Sequence, residues 1–271
     1  MTRDGDQVAD WRPVSTNELQ QACRLAPGTV HVWRFSLDDP PYPQSLLAAH
    51  LSADEQSRAA RFAFERDRRR FESGRGVLRA LLGAYLGREP AALRFDYGSA
   101  GKPALAPDER DRRLAFNVSH SQAWALVGLT DLDTIGVDIE AVRNIADLED
   151  IACRNFSPGE VDALLALPEH DRRDAFFRGW TRKEAYVKAL GSGLSTPLDR
   201  FEVSLAADAP TALLSIDGSA DAALAWTLCG FKPHPGAWAA VAVRGRGLDL
   251  FPYDLPGLNA LPISPNVPTD T

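Results

Sequence analysis

The chain runs through one set of local patterns twice, in the same order. The first pass has S-A-D-E at residues 52–55, D-R-R-R-F at 67–71, a helical stretch ending in L-L-G at 81–83, and the apolar run A-W-A-L-V-G-L at 123–129. The second has S-P-G-E at 157–160, D-R-R-D-A-F-F at 171–177, a helical stretch ending in K-A-L-G at 188–191, and A-W-A-A-V-A-V at 237–243. The spacing drifts by several residues, but order and chemistry are kept. Such a repeat predicts an α+β chain of two similar lobes, each roughly 100 residues, with a seam between them where a ligand can sit.

The local signals fill in those lobes. Residues 30–37 alternate apolar and polar, as a half-buried strand does. Ser52 and Glu55, and again Ser157 and Glu160, have the spacing of a capping box. Pro158 stands at the first helical position of the second. Long helices are expected to end near Leu86 and at residues 191–193, where two glycines can close the second. Strands return at 201–205, 223–228 and 237–243. The expected division is a poorly ordered leader (1–28), a first lobe (29–131), a second lobe (132–248), and a Pro-rich disordered tail (249–271) with five prolines in its last 20 residues. Within the leader, Ser15 and Glu18 suggest one short helix over 15–25.

Bulk properties narrow the partners. A net charge of −7 and a pI near 5.3 set a low prior for a nucleic-acid binder. The three cysteines, Cys23, Cys153 and Cys229, are far apart and form no C-x-x-C spacing. That pattern fits a reducing cytoplasm. The polar N-terminus does not read as a signal peptide, and no apolar run approaches the ~20 residues of a membrane span.

Several stretches carry chemistry. In G-V-D-I-E at 136–140, strand alternation places Asp138 and Glu140 on one face and Val137 and Ile139 on the other. Two carboxylates on one face can seat a hard divalent cation, although an isolated D-x-E is more often a solvated edge. On the long helix of the second half, Trp180, Glu184 and Lys188 are spaced i, i+4, i+8 and share one stripe. Glu184 can then be a third acid, with Lys188 placed to offset developing charge. Residues 58–79 hold eight arginines against three acids, a local anion site inside an acidic chain. The S-H-S turn at 119–121 offers hydroxyls, an imidazole and free N–H groups to a phosphate. Lys102 sits alone in the turn G-S-A-G-K-P at 98–103.

Taken together, these motifs resemble the Sfp-type 4'-phosphopantetheinyl transferases. The matching pieces are G-K-P at 101–103, F-N-V-S-H-S at 116–121, G-V-D-I-E at 136–140, F-S-P-G-E at 156–160, and W-T-R-K-E-A-Y-V-K at 180–188 followed by G-S-G-L. The R-F-x-F-x-R-D run at 61–67 agrees as well. The resemblance spans about residues 29–245 of the sequence. It implies two similar α+β halves with coenzyme A and Mg²⁺ (or Mn²⁺) in the cleft between them. It implies transfer of phosphopantetheine from coenzyme A to a serine of an apo acyl or peptidyl carrier protein, releasing adenosine 3',5'-bisphosphate. Carried over by residue, Asp138, Glu140 and Glu184 match the metal-binding acids, and Glu184 also matches the general base. Lys188 matches the lysine that contacts the phosphates. Ser119 and His120 match the pair that holds the 3'-phosphate. Lys102 and Arg58 match basic residues on the nucleotide phosphates. Glu55 stands where some members carry a further lysine. A single chain that holds both halves of the site favours a monomer, and residues 143–156 are expected to help dock the acidic carrier.

Overall fold

The computed structural model describes residues 10–107, 114–206 and 209–257. In chain order, the first half holds β1 (Arg12–Pro13), α1 (Leu19–Ala22), β2 (Thr29–Ser36), α2 (Gln44–His50), α3 (Ala53–Ala59), α4 (Glu65–Leu86), β3 (Phe95–Tyr97), β4 (Pro103–Leu105), β5 (Ala115–Ser121) and β6 (Trp124–Thr130). The second half holds β7 (Ile135–Ala141), α5 (Leu148–Asn155), α6 (Pro158–Leu165), α7 (Glu169–Leu190), β8 (Phe201–Val203), β9 (Leu213–Ile216), α8 (Ala220–Ala223), β10 (Trp226–Phe231), β11 (Ala237–Arg244) and β12 (Asp249–Leu255). Among the described residues, no helix is long and apolar enough to cross a membrane.

Two sheets and two long helices make four layers. One sheet has the order β1-β12-β2-β6-β5, the other β10-β11-β7. Strand alternation distributes their side chains. From β2, Trp33 and Phe35 join Val77, Leu78, Leu81 and Leu82 of α4 in one core. Val30 and Val32 face the opposite way and meet Val137 and Ile139 of β7 and Val241 of β11 in a middle core. From β11, Trp238, Ala240 and Ala242 turn outward onto Phe177 and Ala185 of α7 in a third core. The layers therefore run α4, five-stranded sheet, three-stranded sheet, α7. Tight approaches use glycine. A Cβ on Gly136 would overlap Ala185 O and Ala189 N of α7, so β7 and α7 touch backbone to backbone there.

The expected duplication is built in detail. Glu55 Oε2 accepts from Ser52 N–H at 3.1 Å, and Glu160 Oε2 accepts from Ser157 N–H at 2.8 Å, so both capping boxes form. Each of these glutamates also meets a buried cation on the long helix of its lobe. Arg79 Nε lies 2.5 Å from Glu55 and donates through Nη1 to Pro90 O and Leu93 O. Lys183 Nζ lies 2.7 Å from Glu160 and donates to Leu198 O and Phe201 O. In both lobes one buried cation of the long helix joins the cap glutamate to the chain after that helix. Both helices are 22 residues long and end on a left-handed glycine, Gly87 and Gly191.

The ends of the chain depart from expectation. Residues 249–257 are not part of a disordered tail: β12 pairs in parallel with β2 over its whole length, and Tyr253 and Leu255 lie in the first core. Prolines hid this strand, because Pro252 reads as a breaker while β12 needs only its alternate side chains to be apolar. The leader is also built in from residue 10 onward, with Val14, Leu19 and Cys23 in the same core. Its helix is only the four residues of α1, preceded by Ser15, whose Oγ donates to Glu18 Oε2 at 2.8 Å. Residues 1–9 and 258–271 lie outside the described residues.

β12 also explains a buried histidine. His31 on β2 packs against Phe251 and Tyr253, and Tyr85 Oη lies 2.6 Å from its Nδ1. Trp33 Nε1–H donates to the same Tyr85 oxygen. Burial pulls the His31 pKa down to about 4. The folded chain then resists a proton that the unfolded chain takes up near pH 6.5. Stability is whole above about pH 6.5 and falls as pH drops toward 4, by on the order of 3 kcal/mol from this residue. Urea unfolding at pH 7 and pH 4.5 should show a larger loss for the native chain than for His31→Phe. Equal losses would remove the assignment.

Candidate functional site

The two sheets meet along β5 and β7, and side chains rather than a backbone ladder join them. Asn117 Oδ1 accepts from Val137 N–H at 2.8 Å, Ser119 Oγ from Ile139 N–H at 3.3 Å, and Ser121 Oγ from Ala141 N–H at 3.1 Å. Alternate residues of β5 thus satisfy alternate N–H groups of β7. The two hydroxyls then pass their own protons to the acids. Ser119 Oγ donates to Asp138 Oδ1 at 2.9 Å, and Ser121 Oγ donates to Glu140 Oε2 at 3.0 Å.

Asp138 and Glu140 therefore share one face of β7, as expected, with Val137 and Ile139 buried behind them. That face looks at α7. Trp180, Glu184 and Lys188 form a half-buried stripe on a helix whose neighbouring positions are buried. Lys188 Nζ reaches Asp138 Oδ1 at 2.5 Å and Ser119 Oγ at 3.0 Å. Burial pushes the Asp138 pKa up to about 6, against the pull of Lys188. Burial also raises Glu184, with Lys188 opposing and the like charge of Glu140 adding to the rise. A carboxylate shifted this way is a better proton acceptor than an exposed one. Among the described residues, no three His, Cys, Asp or Glu side chains are gathered as a ready metal cluster. Asp138 Oδ2 is nevertheless buried with no hydrogen-bond partner among the described residues, an oxygen that fits a hard cation.

The 119–121 segment is not a turn. It is the end of β5, so Ser119 and His120 point to opposite faces. Ser119 is buried in the acid cluster, while His120 is exposed and lines a cavity of about 590 Å³ on the α4 side. Arg58, Arg70, Arg75 and Phe71 line the same cavity. Arg58 lies over the Phe71 ring, 5.2 Å from its centroid. Arg70 is paired with Asp38 at 2.6 Å, and Arg75 with Glu55 at 3.1 Å. The arginine cluster thus resolves into a pocket wall and its supports. Glu55, buried between Arg75 and Arg79, is one of the supports.

Lys102 does not join Arg58 and His120 in that cavity. Its ammonium donates to Ile135 O at 2.9 Å and Lys188 O at 2.6 Å, with Ala189 O at 3.5 Å. It caps the C-terminal carbonyls of α7, where a cation also meets the negative end of the helix dipole. Burial lowers its pKa to about 8, which leaves it charged at neutrality. Arg143, although exposed, pairs with the same site, with Nη1 3.1 Å from Glu140 Oε2. The reading of the sequence missed Asn117 and Ser121. Extending the strand period of β5 through residue 121 is the signal that finds them.

Comparison with known proteins agrees with this layout. Residues 134–242 match the 4'-phosphopantetheinyl transferase superfamily, and residues 39–130 match the 4'-phosphopantetheinyl transferase N-terminal family. The chain is 45% identical over 218 residues to the 4'-phosphopantetheinyl transferase HetI of Nostoc sp., covering 80% of this chain and 89% of that protein. It is 35% identical over 158 residues to the 4'-phosphopantetheinyl transferase Sfp of Bacillus subtilis, covering 58% of this chain and 68% of Sfp. It is 29% identical over 184 residues to the human L-aminoadipate-semialdehyde dehydrogenase-phosphopantetheinyl transferase, covering 64% and 60%.

Lys102 and Arg58 should separate in a stability measurement. Lys102→Met strips a charged donor from buried carbonyls and should cost about 1–3 kcal/mol. Arg58→Met, at an exposed cavity wall, should stay within about 0.5 kcal/mol of the native chain. Urea midpoints read both, and indistinguishable midpoints would contradict the capping role.

Proposed function

Because this chain belongs to the 4'-phosphopantetheinyl transferase superfamily, we propose that it transfers the phosphopantetheine group of coenzyme A to a serine of an apo carrier protein and releases adenosine 3',5'-bisphosphate. The observation that carries this reading is the division of β5. Its α4 side faces a basic cavity, and its other side is bonded to Asp138, Glu140 and Lys188. A ligand with a nucleotide at one end and a reactive pyrophosphate at the other is suited to a wall of this kind.

His120 and Arg58 are assigned to the nucleotide phosphates, in the cavity they line. Lys188 is assigned to the pyrophosphate, where its ammonium offsets charge gathering on the leaving oxygen. Glu184 is assigned as the general base. Its raised pKa suits it to take the serine proton as the serine oxygen bonds to the β-phosphorus and the bridging P–O bond breaks. Asp138, Glu140 and Glu184 would hold a divalent cation, Mg²⁺ or Mn²⁺. When bound, that cation supplies charge neutralisation on the pyrophosphate. The unpartnered Asp138 Oδ2 supports this assignment. Ser119 is reassigned from phosphate contact to holding Asp138 and Lys188, since its hydroxyl is already bonded to both. Lys102 is reassigned to the end of α7. Carrier docking is assigned to α5 and its approach, and Arg154 is exposed there.

The deciding experiment incubates an apo carrier protein with coenzyme A and Mg²⁺ and weighs it by mass spectrometry. The carrier should gain one phosphopantetheine. Glu184→Gln should slow that gain by about 100- to 10,000-fold. His120→Ala should raise the KM for coenzyme A roughly tenfold or more, with a smaller change in kcat. Release of phosphopantetheine to water without a carrier would instead mark a pyrophosphohydrolase. On the docking surface, Arg154→Glu should raise the KM for the carrier and leave that for coenzyme A alone. An unchanged carrier KM would move docking elsewhere. Arg143 is unsuited to this test because it is bonded to Glu140.

A further inference from the structure

The proposed function gives roles to the acids but none to the hydroxyl beyond Ser119 on β5. Ser121 repeats the Ser119 arrangement two residues along. Each hydroxyl accepts from one N–H of β7, which fixes where its single proton can go. The proton then goes to the carboxylate preceding that N–H: Asp138 for Ser119, Glu140 for Ser121. At the third position of the repeat, Asn117 accepts from Val137 N–H, and the residue preceding that N–H is Gly136, which has no side chain to hold.

The consequence for Glu140 is geometric. Its two partners among the described residues, Ser121 Oγ and Arg143 Nη1, converge on the same oxygen, Oε2. Oε1 is the oxygen left over. Glu140 is only half-buried, and without these bonds its side chain has several rotamers to choose from. Asp138 needs less help, because it is buried and has Lys188 as well. Ser121 is anchored on a strand, whereas Arg143 is an exposed side chain just beyond one. Of the two partners, the serine is the rigid one.

We propose that Ser121 is a positioning residue: its hydroxyl holds one oxygen of Glu140 and thereby leaves the other for the divalent cation that Asp138 and Glu140 share. The inference rests on the metal assignment made above and adds the residue that prepares it. Ser121 touches neither coenzyme A nor the reacting atoms in this role. Its loss acts through Glu140, so it should show in cation affinity before it shows in coenzyme A affinity. Partners that orient a metal ligand in this way are typically worth about 10- to 100-fold in metal affinity.

The test titrates Mn²⁺ into the whole protein with saturating coenzyme A and follows free Mn²⁺ by electron paramagnetic resonance. Ser121→Ala should weaken Mn²⁺ binding by about tenfold or more. Its transfer rate should be low at limiting Mg²⁺ and recover as Mg²⁺ is raised, with the KM for coenzyme A unchanged. Ser121→Thr keeps the hydroxyl and should restore the native affinity. If Ser121→Ala folds poorly, the Glu140→Gln background decides: adding Ser121→Ala there should weaken Mn²⁺ binding no further. Native Mn²⁺ affinity in Ser121→Ala overturns the proposal, as does further weakening by Ser121→Ala in the Glu140→Gln background. A native protein that binds no Mn²⁺ overturns the metal assignment itself, a separate and distinguishable failure.

Discussion

Among the described residues, no strand pairs with the outer edge of β7 to complete its ladder, and the structure answers with three side chains. A strand edge buried without partners leaves N–H groups that cost free energy comparable to lost hydrogen bonds. Asn117, Ser119 and Ser121 reach across from β5 and take the N–H groups of Val137, Ile139 and Ala141. A backbone ladder would have merged the two sheets into one. Side-chain bonds let β5 and β7 lie side by side while their sheets stack through the middle core. They also leave hydroxyl protons over. Those protons are what bind the acids, so the joint between lobes and the preparation of the site are the same set of atoms.

The duplication explains why chemistry appears once. Arg79 and Lys183 stand at the same place in helices of equal length, each bonded to its own capping-box glutamate. Counted from the same start, Glu184 and Lys188 fall opposite Ala80 and Ala84. The first-lobe helix therefore kept the scaffold cation and has small residues where the second carries acid and ammonium. Its arginines lie earlier in α4, where Arg70 and Arg75, with Phe71, wall the cavity that His120 lines. Each lobe contributes one side of β5.

Much of this was legible in order and spacing. Both capping boxes, both long helices, the closing glycine of the second, and the shared face of Asp138 and Glu140 follow from local rules that act within one element. What escaped was set by partners distant in sequence. The 119–121 segment looks like a turn because Ser and His favour turns, yet β6 pairs with it through Ser121 and makes it strand. β12 looks like tail because Pro252 interrupts it, yet it adds a parallel strand to β2 from more than 200 residues away. Lys102 looks like a free cation in a glycine turn, and only the tertiary fold brings the end of α7 to it. In each case a local preference was right about composition and silent about the neighbour.

Lys188 shows how the site tolerates its own charge. The like charge of Glu140 adds to the raised proton affinity of both Asp138 and Glu184, and Asp138 is almost wholly buried. A buried carboxylate without a counter-charge would take up a proton instead of remaining an acid anion. The ammonium of Lys188, one helical turn beyond Glu184, supplies that counter-charge at Asp138 Oδ1, and Ser119 shares the same oxygen. The assembly then holds its acids near ionisation with residues of its own. Oδ2 has no hydrogen-bond partner among the described residues, so a divalent cation held there would leave the bond from Lys188 to Oδ1 intact. That arrangement needs no rearrangement of β5, because Ser119 already ties the lysine and the aspartate to one point.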